Sequence, residues 1–245
     1  MAEAEERMLV VSAHAADFCS RAGGTIATYA RRGWKVRALD LTYGERGESG
    51  SLWRERSATT VDEVKKVREA EARAAAQILG AEIWFLDFDD NPLIIDRKRM
   101  LRLVAEIRDL RPSIVLTHWV RDPLNPDHVT TAQATIRACH YASAPGVSPE
   151  TTPSGYPRIF LFEPSVPTND LSRFRPDTYI DITEVFDLKL RALKELRTQE
   201  TLPEWYTMYG QLRGFQARNA GLGGKETKYA EAYKRFTPWV GAAFP

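Results

Sequence analysis

Short apolar runs alternating with helical patterns constrain this chain more than any other feature. Runs at 8–13, 34–41, 82–86 and 113–118 alternate with helical stretches at 18–32, from Thr59 or Thr60 to 79, from Asp96 to 110, and at 127–141. Each helical stretch is long enough to return the chain across a sheet, so successive runs pair in parallel. The punctuation agrees: Gly80 closes the second helix, Asp96 opens the third and Arg111-Pro112 ends it. Two further runs, 158–162 and 178–182, extend the strand set, and 185–199 and 205–219 read as helices. The Pro/Gly/Ser/Thr-rich stretch 144–157 reads as a surface connection, and 200–245 as a C-terminal helical segment. The expected fold is α/β: a Rossmann-like, mainly parallel sheet flanked by helices, in a single domain over 1–245.

Composition removes several function classes. Hydrophobic residues at 43% and charged residues at 27% are ordinary for a globular domain. A net charge of +1 supplies no field for nucleic acid or an anionic membrane. No apolar run approaches the roughly 20 residues of a membrane span, and the acidic opening Met-Ala-Glu-Ala-Glu-Glu-Arg does not read as a signal-peptide n-region. Cys19 and Cys139 form neither a metal-spaced pair nor a disulfide framework, which fits a cytoplasmic protein with two buried thiols.

In a sheet of this kind ligands lie beyond the carboxyl ends of the strands, where the strand order switches. His14 and Asp17 follow the first run, a Gly-rich loop within 42–57 the second, and Asp122 to His128 the fourth, so three loops should share one rim. Two neutral imidazoles, His14 and His128, with the Asp17 carboxylate suit a zinc ion that keeps an open position. Mn, Fe or Co would accept the same donors. Taken alone, His14-x-x-Asp17 would more often be a strand-end histidine bonded to a capping aspartate; Asn125-Pro-Asp-His128 tips the balance toward metal. Asp127 could orient an imidazole or cap the helix that it begins. The paired glycines Gly23-Gly24 inside the first helix imply close packing or a backbone approach to the site.

These residues resemble the PIG-L/LmbE-like family of zinc-dependent N-deacetylases. The resemblance rests on Ala13-His14-Ala15-Ala16-Asp17-Phe18, Gly23-Gly24-Thr25-Ile26-Ala27, Leu41-Thr42-Tyr43-Gly44-Glu45 and Asn125-Pro126-Asp127-His128. It implies that His14, Asp17 and His128 bind zinc. It also implies that Ala16 stands where the family has its general base, and Asn125 where it has a carbonyl-polarising histidine. The chain is more similar still to the branch that hydrates 4-oxalomesaconate, through Ser12-Ala-His-Ala-Ala-Asp-Phe18, Gly44-Glu-Arg-Gly-Glu-Ser49, Leu52-Trp-Arg54, Asp122-Pro-Leu-Asn125 and Phe162-Glu-Pro164. That branch carries a histidine where this chain has Ser165.

The resemblance makes Glu48 the acid–base residue, against the bland reading of a solvated loop carboxylate, and leaves Glu45 to hold the loop. A polycarboxylate substrate needs cations, for which Arg46, Arg54, Arg121 and Arg175 are the candidates near the rim, although each alone is more often a solvated charge. His118 is either a neighbour of the metal or a hydrogen-bonded strand-end histidine. Trp205, Tyr206 and Tyr209 read as core or subunit contact, and Trp239 and Phe244 as a surface that could dock in a homo-oligomer. Three functions compete: a metal-dependent hydratase of an unsaturated oxo-tricarboxylate, an N-deacetylase of an acetylated sugar conjugate, and an inactive metal or small-molecule binding domain.

Overall fold

The computed structural model describes residues 6–55, 60–166, 170–220, 226–237 and 240, so Thr59, Trp239 and Phe244 lie outside the described residues. Five strands form the parallel part of the sheet: β1 (Arg7–Ser12), β2 (Lys35–Asp40), β3 (Glu82–Phe85), β4 (Ile114–His118) and β5 (Arg158–Phe162). β6 (Thr178–Asp181) and β7 (Ala230–Arg235) complete the order β3-β2-β1-β4-β5-β7-β6, with β7 antiparallel to both neighbours. β1 and β4 are buried almost throughout, which is why they read as continuous apolar runs.

Helices α1 (Asp17–Arg31), α3 (Val61–Leu79) and α6 (Phe186–Glu195) share one apolar core against the sheet; α4 (Arg97–Leu110) and α5 (Pro126–Ser143) share another. The second helix in chain order, α2 (Gly50–Glu55), is a short turn of helix within the stretch expected to be loop. α7 (Leu202–Asn219) lies against β7. β1 and β4 are adjacent while their crossovers run in opposite directions, so the loops after them part and leave a crevice. Thr60 caps α3 with a full capping box to Glu63.

β7 corrects the expectation of a wholly helical 200–245 segment. Its sequence, AEAYKR, lacks the β-branched residues of a typical strand, yet its first four residues are buried. Glu231 explains this. Its carboxylate accepts the Gly24 and Thr25 amides at 2.8 Å, the Thr25 hydroxyl at 2.6 Å and the Tyr233 hydroxyl at 3.0 Å, and pairs with buried Lys189 at 2.6 Å. Gly24 therefore serves packing against the end of β6 and not the site: a Cβ there would stand 2.6 Å from Ile182. On α7, Tyr206 packs against the core while Trp205 is exposed. Both cysteines are buried and free. No helix among the described residues is long and apolar enough to cross a membrane.

Candidate metal centre and active site

Each of the three rim loops delivers a side chain to one point. One ligand atom from each of His14, Asp17, Glu48 and His128 lies within 4.8 Å of all the others, a spacing that a single ion can span. His14 and Asp17 come from the β1–α1 junction, and Asp17 accepts the His14 amide at 3.0 Å. His128 sits in the first turn of α5, whose N-cap is Asn125. Glu48 comes from the loop after β2, where Gly44 has φ +70° and a Cβ would stand 3.1 Å from the Cβ of His14. That closeness lets the loop fold down over the histidine.

The imidazoles are oriented from behind. His128 Nδ1 lies 2.9 Å from Asp122 Oδ2. Burial raises the Asp122 carboxyl, but hydrogen bonds from His128 and Ser165 pull it well below the usual carboxylate range, so it is ionised and can only accept. His128 therefore donates through Nδ1, and its Nε2 faces Asp17 at 3.4 Å. His14 is turned the other way: Nε2 is 3.5 Å from Asp127, and Nδ1 is 3.3 Å from Asp17 and 3.1 Å from Glu48. His14 Nδ1 and His128 Nε2 are both buried without a well-formed hydrogen bond, yet face carboxylates at 3.1 to 3.4 Å, an arrangement that a cation shared among them satisfies. The donor set thus fits a divalent ion.

One of the two readings of Asp127 drops out here. Asp127 is not the helix cap, since Asn125 fills that position. It faces His14 rather than its neighbour His128, and its two oxygens accept the Asn91 and Leu93 amides at 2.8 and 2.9 Å. The turn so anchored has Asp87, Asp89 and Asn91 at positive φ. Asp90 in turn accepts the Arg46 and Gly47 amides, which fixes the loop carrying Glu48. Glu45, fully buried, accepts the Tyr43 amide and belongs to that loop's scaffold.

Glu48 Oε1 receives Asn125 Nδ2 at 3.4 Å and lies 3.8 Å from His128 Nε2. Its other oxygen receives Gln199 Nε2 at 3.4 Å and lies 3.9 Å from the guanidinium of Arg68. Burial raises the Glu48 carboxyl, yet the charge of His14 brings it below its ordinary value. His14 shows the reciprocal effect: burial lowers it, but Glu48 and the Asp127 and Asp17 carboxylates hold it well above the usual imidazole value. Ala16, by contrast, is 2% exposed and packs into the apolar core, so position 16 offers no proton-transfer group. His118 accepts the Ala13 amide at 3.0 Å and stacks on His128 at 4.0 Å between centroids. Burial and the neighbouring His128 push it down to about 3, so it is neutral.

The cations beside this cluster are Arg21, 3.2 Å from Asp17, and Arg68, which is fully buried. Helical periodicity gives no warning of either, because an arginine on an amphipathic helix ordinarily marks the solvated face. Arg46 pairs with Asp89 at 3.0 Å, while Arg54, Arg121 and Arg175 are exposed. Among the described residues none of these four bonds to the cluster.

A mainly parallel sheet with this cluster at its switch point defines the class. The chain belongs to the PIG-L (GlcNAc-PI de-N-acetylase) family, whose model matches residues 9–139. Over 238 residues, 96% of this chain and 91% of the relative, it is 41% identical to a 4-oxalmesaconate hydratase of Pseudomonas putida. It is 31% identical to a 1D-myo-inositol 2-acetamido-2-deoxy-alpha-D-glucopyranoside deacetylase of Rhodococcus jostii, covering 84% of this chain and 85% of that one. Among solved structures, GalB, the 4-carboxy-2-hydroxymuconate hydratase of Pseudomonas putida KT2440, superposes with a TM-score of 0.92 at 40% identity, over 98% of this chain and 100% of its own.

Proposed function

We propose that this chain is a metal-dependent hydratase that adds water across the carbon–carbon double bond of an unsaturated oxo-tricarboxylate of the 4-oxalomesaconate type, in aromatic-acid breakdown. His14 through Nδ1, His128 through Nε2 and Asp17 would hold the ion, with zinc the best match to two imidazoles and one carboxylate. Such an ion supplies Lewis-acid withdrawal of charge from the oxygens of a keto acid. Glu48 moves the proton. Ionised and at the cluster's edge, it takes a proton from the attacking water and returns one to the neighbouring carbon, which balances the addition. Asn125 and Gln199 hold its two oxygens apart, and Asn125 is positioned to share a substrate oxygen. Arg54 and Arg121, exposed on segments bordering the site, are the proposed partners for outlying carboxylates; Arg46 is already engaged by Asp89. The free buried cysteines accord with a cytoplasmic location.

The observation that carries this reading is the exchange of carboxylates: position 16 is a buried methyl, and the acid–base group reaches the cluster from Glu48 instead. The similarity to a 4-oxalmesaconate hydratase along 96% of the chain points the same way. Zinc-loaded enzyme given 4-oxalomesaconate should bleach the conjugated ultraviolet band and should release no amine from N-acetylated amino sugars. Amine release with the band intact would establish the deacetylase instead. No change with either substrate, at full metal loading, would leave a binding protein.

A further inference from the structure

Ser165 lies on the side of His128 away from the ligand cluster, and nothing in the proposed chemistry uses it. Its amide and hydroxyl both donate to Asp122 Oδ2, at 2.7 and 2.8 Å. The same oxygen takes the Nδ1 proton of His128 at 2.9 Å, and the Ser165 hydroxyl oxygen stands 3.3 Å from that nitrogen. A serine hydroxyl has one proton to give and lone pairs left to accept. With the proton directed at Asp122, a lone pair receives the Arg21 guanidinium at 3.4 Å. Another arm of Arg21 donates to the Glu163 carbonyl at 2.7 Å, and its Nε donates to Asp17 Oδ1 at 3.2 Å.

We infer that Ser165 is a positioning residue of the metal centre: it joins Asp17, Arg21, Asp122 and His128 into one hydrogen-bonded path that fixes two ligands relative to each other. The inference rests on the reading of His14, Asp17 and His128 as ligands. Two donors from one residue hold the Asp122 oxygen in place, so the carboxylate cannot rotate away from Nδ1 and the lone pair on Nε2 keeps its aim. The hydroxyl also holds the guanidinium that fixes the outer oxygen of Asp17. Removing it leaves every ligand present but loosens two of the three. Partners behind a metal-bound histidine typically change affinity 10- to 100-fold.

The test compares wild type, Ser165→Ala and Ser165→Thr, stripped by chelator and titrated with zinc against a chromogenic competitor, then loaded with cobalt(II) for its visible spectrum. Ser165→Ala should bind zinc about 10- to 100-fold more weakly and shift the cobalt bands, while its metal-free unfolding midpoint stays near wild type. Ser165→Thr, which keeps the hydroxyl, should restore both affinity and spectrum. Equal affinity and identical bands in Ser165→Ala would overturn the inference, and so would a loss in Ser165→Thr as large as in Ser165→Ala. A wild type that binds no zinc would instead remove the ligand reading beneath it.

Discussion

Replacing Glu48 by glutamine separates proton transfer from metal binding in a single side chain. The substitution keeps shape and removes charge. Oε1 of Glu48 stands 3.1 Å from His14 Nδ1 and 3.8 Å from His128 Nε2, close enough to act on substrate there and also close enough to serve as a fourth ligand. If Glu48 moves the proton, its loss should lower kcat by about 10²- to 10⁴-fold, the usual worth of a positioned acid–base group. That corresponds to about 3–5 kcal/mol of barrier. Metal binding should behave oppositely. In the ion-free site burial lowers the His14 pKa, but the Glu48 charge is the foremost influence raising it, so that charge favours a proton on the nitrogen the metal needs. Glutamine removes the charge but leaves His14, Asp17 and His128 in place, so zinc should stay bound. Turnover is followed by loss of the conjugated band and affinity by chelator competition. An enzyme within a few-fold of wild-type kcat would take Glu48 out of the mechanism, and parallel loss of metal and activity would make it a ligand.

Three further outcomes follow from the geometry. His14 sits above its ordinary pKa and Asp17 well below its own, so near neutral pH the ion-free site holds a proton on His14 and a charge on Asp17. Proton and metal compete for one lone pair, so zinc loading should release about one proton and tighten as pH rises toward the folded pKa of His14; calorimetry in buffers of different ionisation enthalpy reads this, and a buffer-independent heat would contradict it. Lys189→Met leaves the Glu231 carboxylate buried with its amide and hydroxyl donors but no countercharge, and should cost about 3–5 kcal/mol in urea unfolding; a change below about 1 kcal/mol would contradict the role given to that pair. Asp17→Ala should lose metal and turnover together, and full zinc occupancy in that variant would refute the ligand set.

The parallel sheet and its three rim loops were legible because β1, β2 and β4 bury nearly every residue and read as apolar runs. β7 was not, since Glu231 ties it to α1 across more than 200 residues of sequence, and no local pattern encodes that contact. Spacing picks out His14, Asp17 and His128, and Asp127 as a group behind an imidazole, but neither which imidazole it faces nor the part played by Asp122. Adjacency to His128 made Asp127 the natural candidate to orient an imidazole. The capped turn at Asn125 instead sends Asp127 toward His14 and leaves His128 to Asp122. The buried roles of Arg21 and Arg68 were hidden for a similar reason: burial decides whether a helical arginine is solvated or holds a carboxylate, and sequence alone does not report it.

The central claim is that a divalent ion is gripped by Nδ1 of His14, Nε2 of His128 and the Asp17 carboxylate. Anomalous diffraction from crystals of active, zinc-loaded enzyme, recorded on either side of the zinc edge, tests it directly. The expected result is one strong peak about 2.0–2.2 Å from those three atoms. Active crystals with no peak there, or a peak reached through the opposite nitrogen of either histidine, would contradict it.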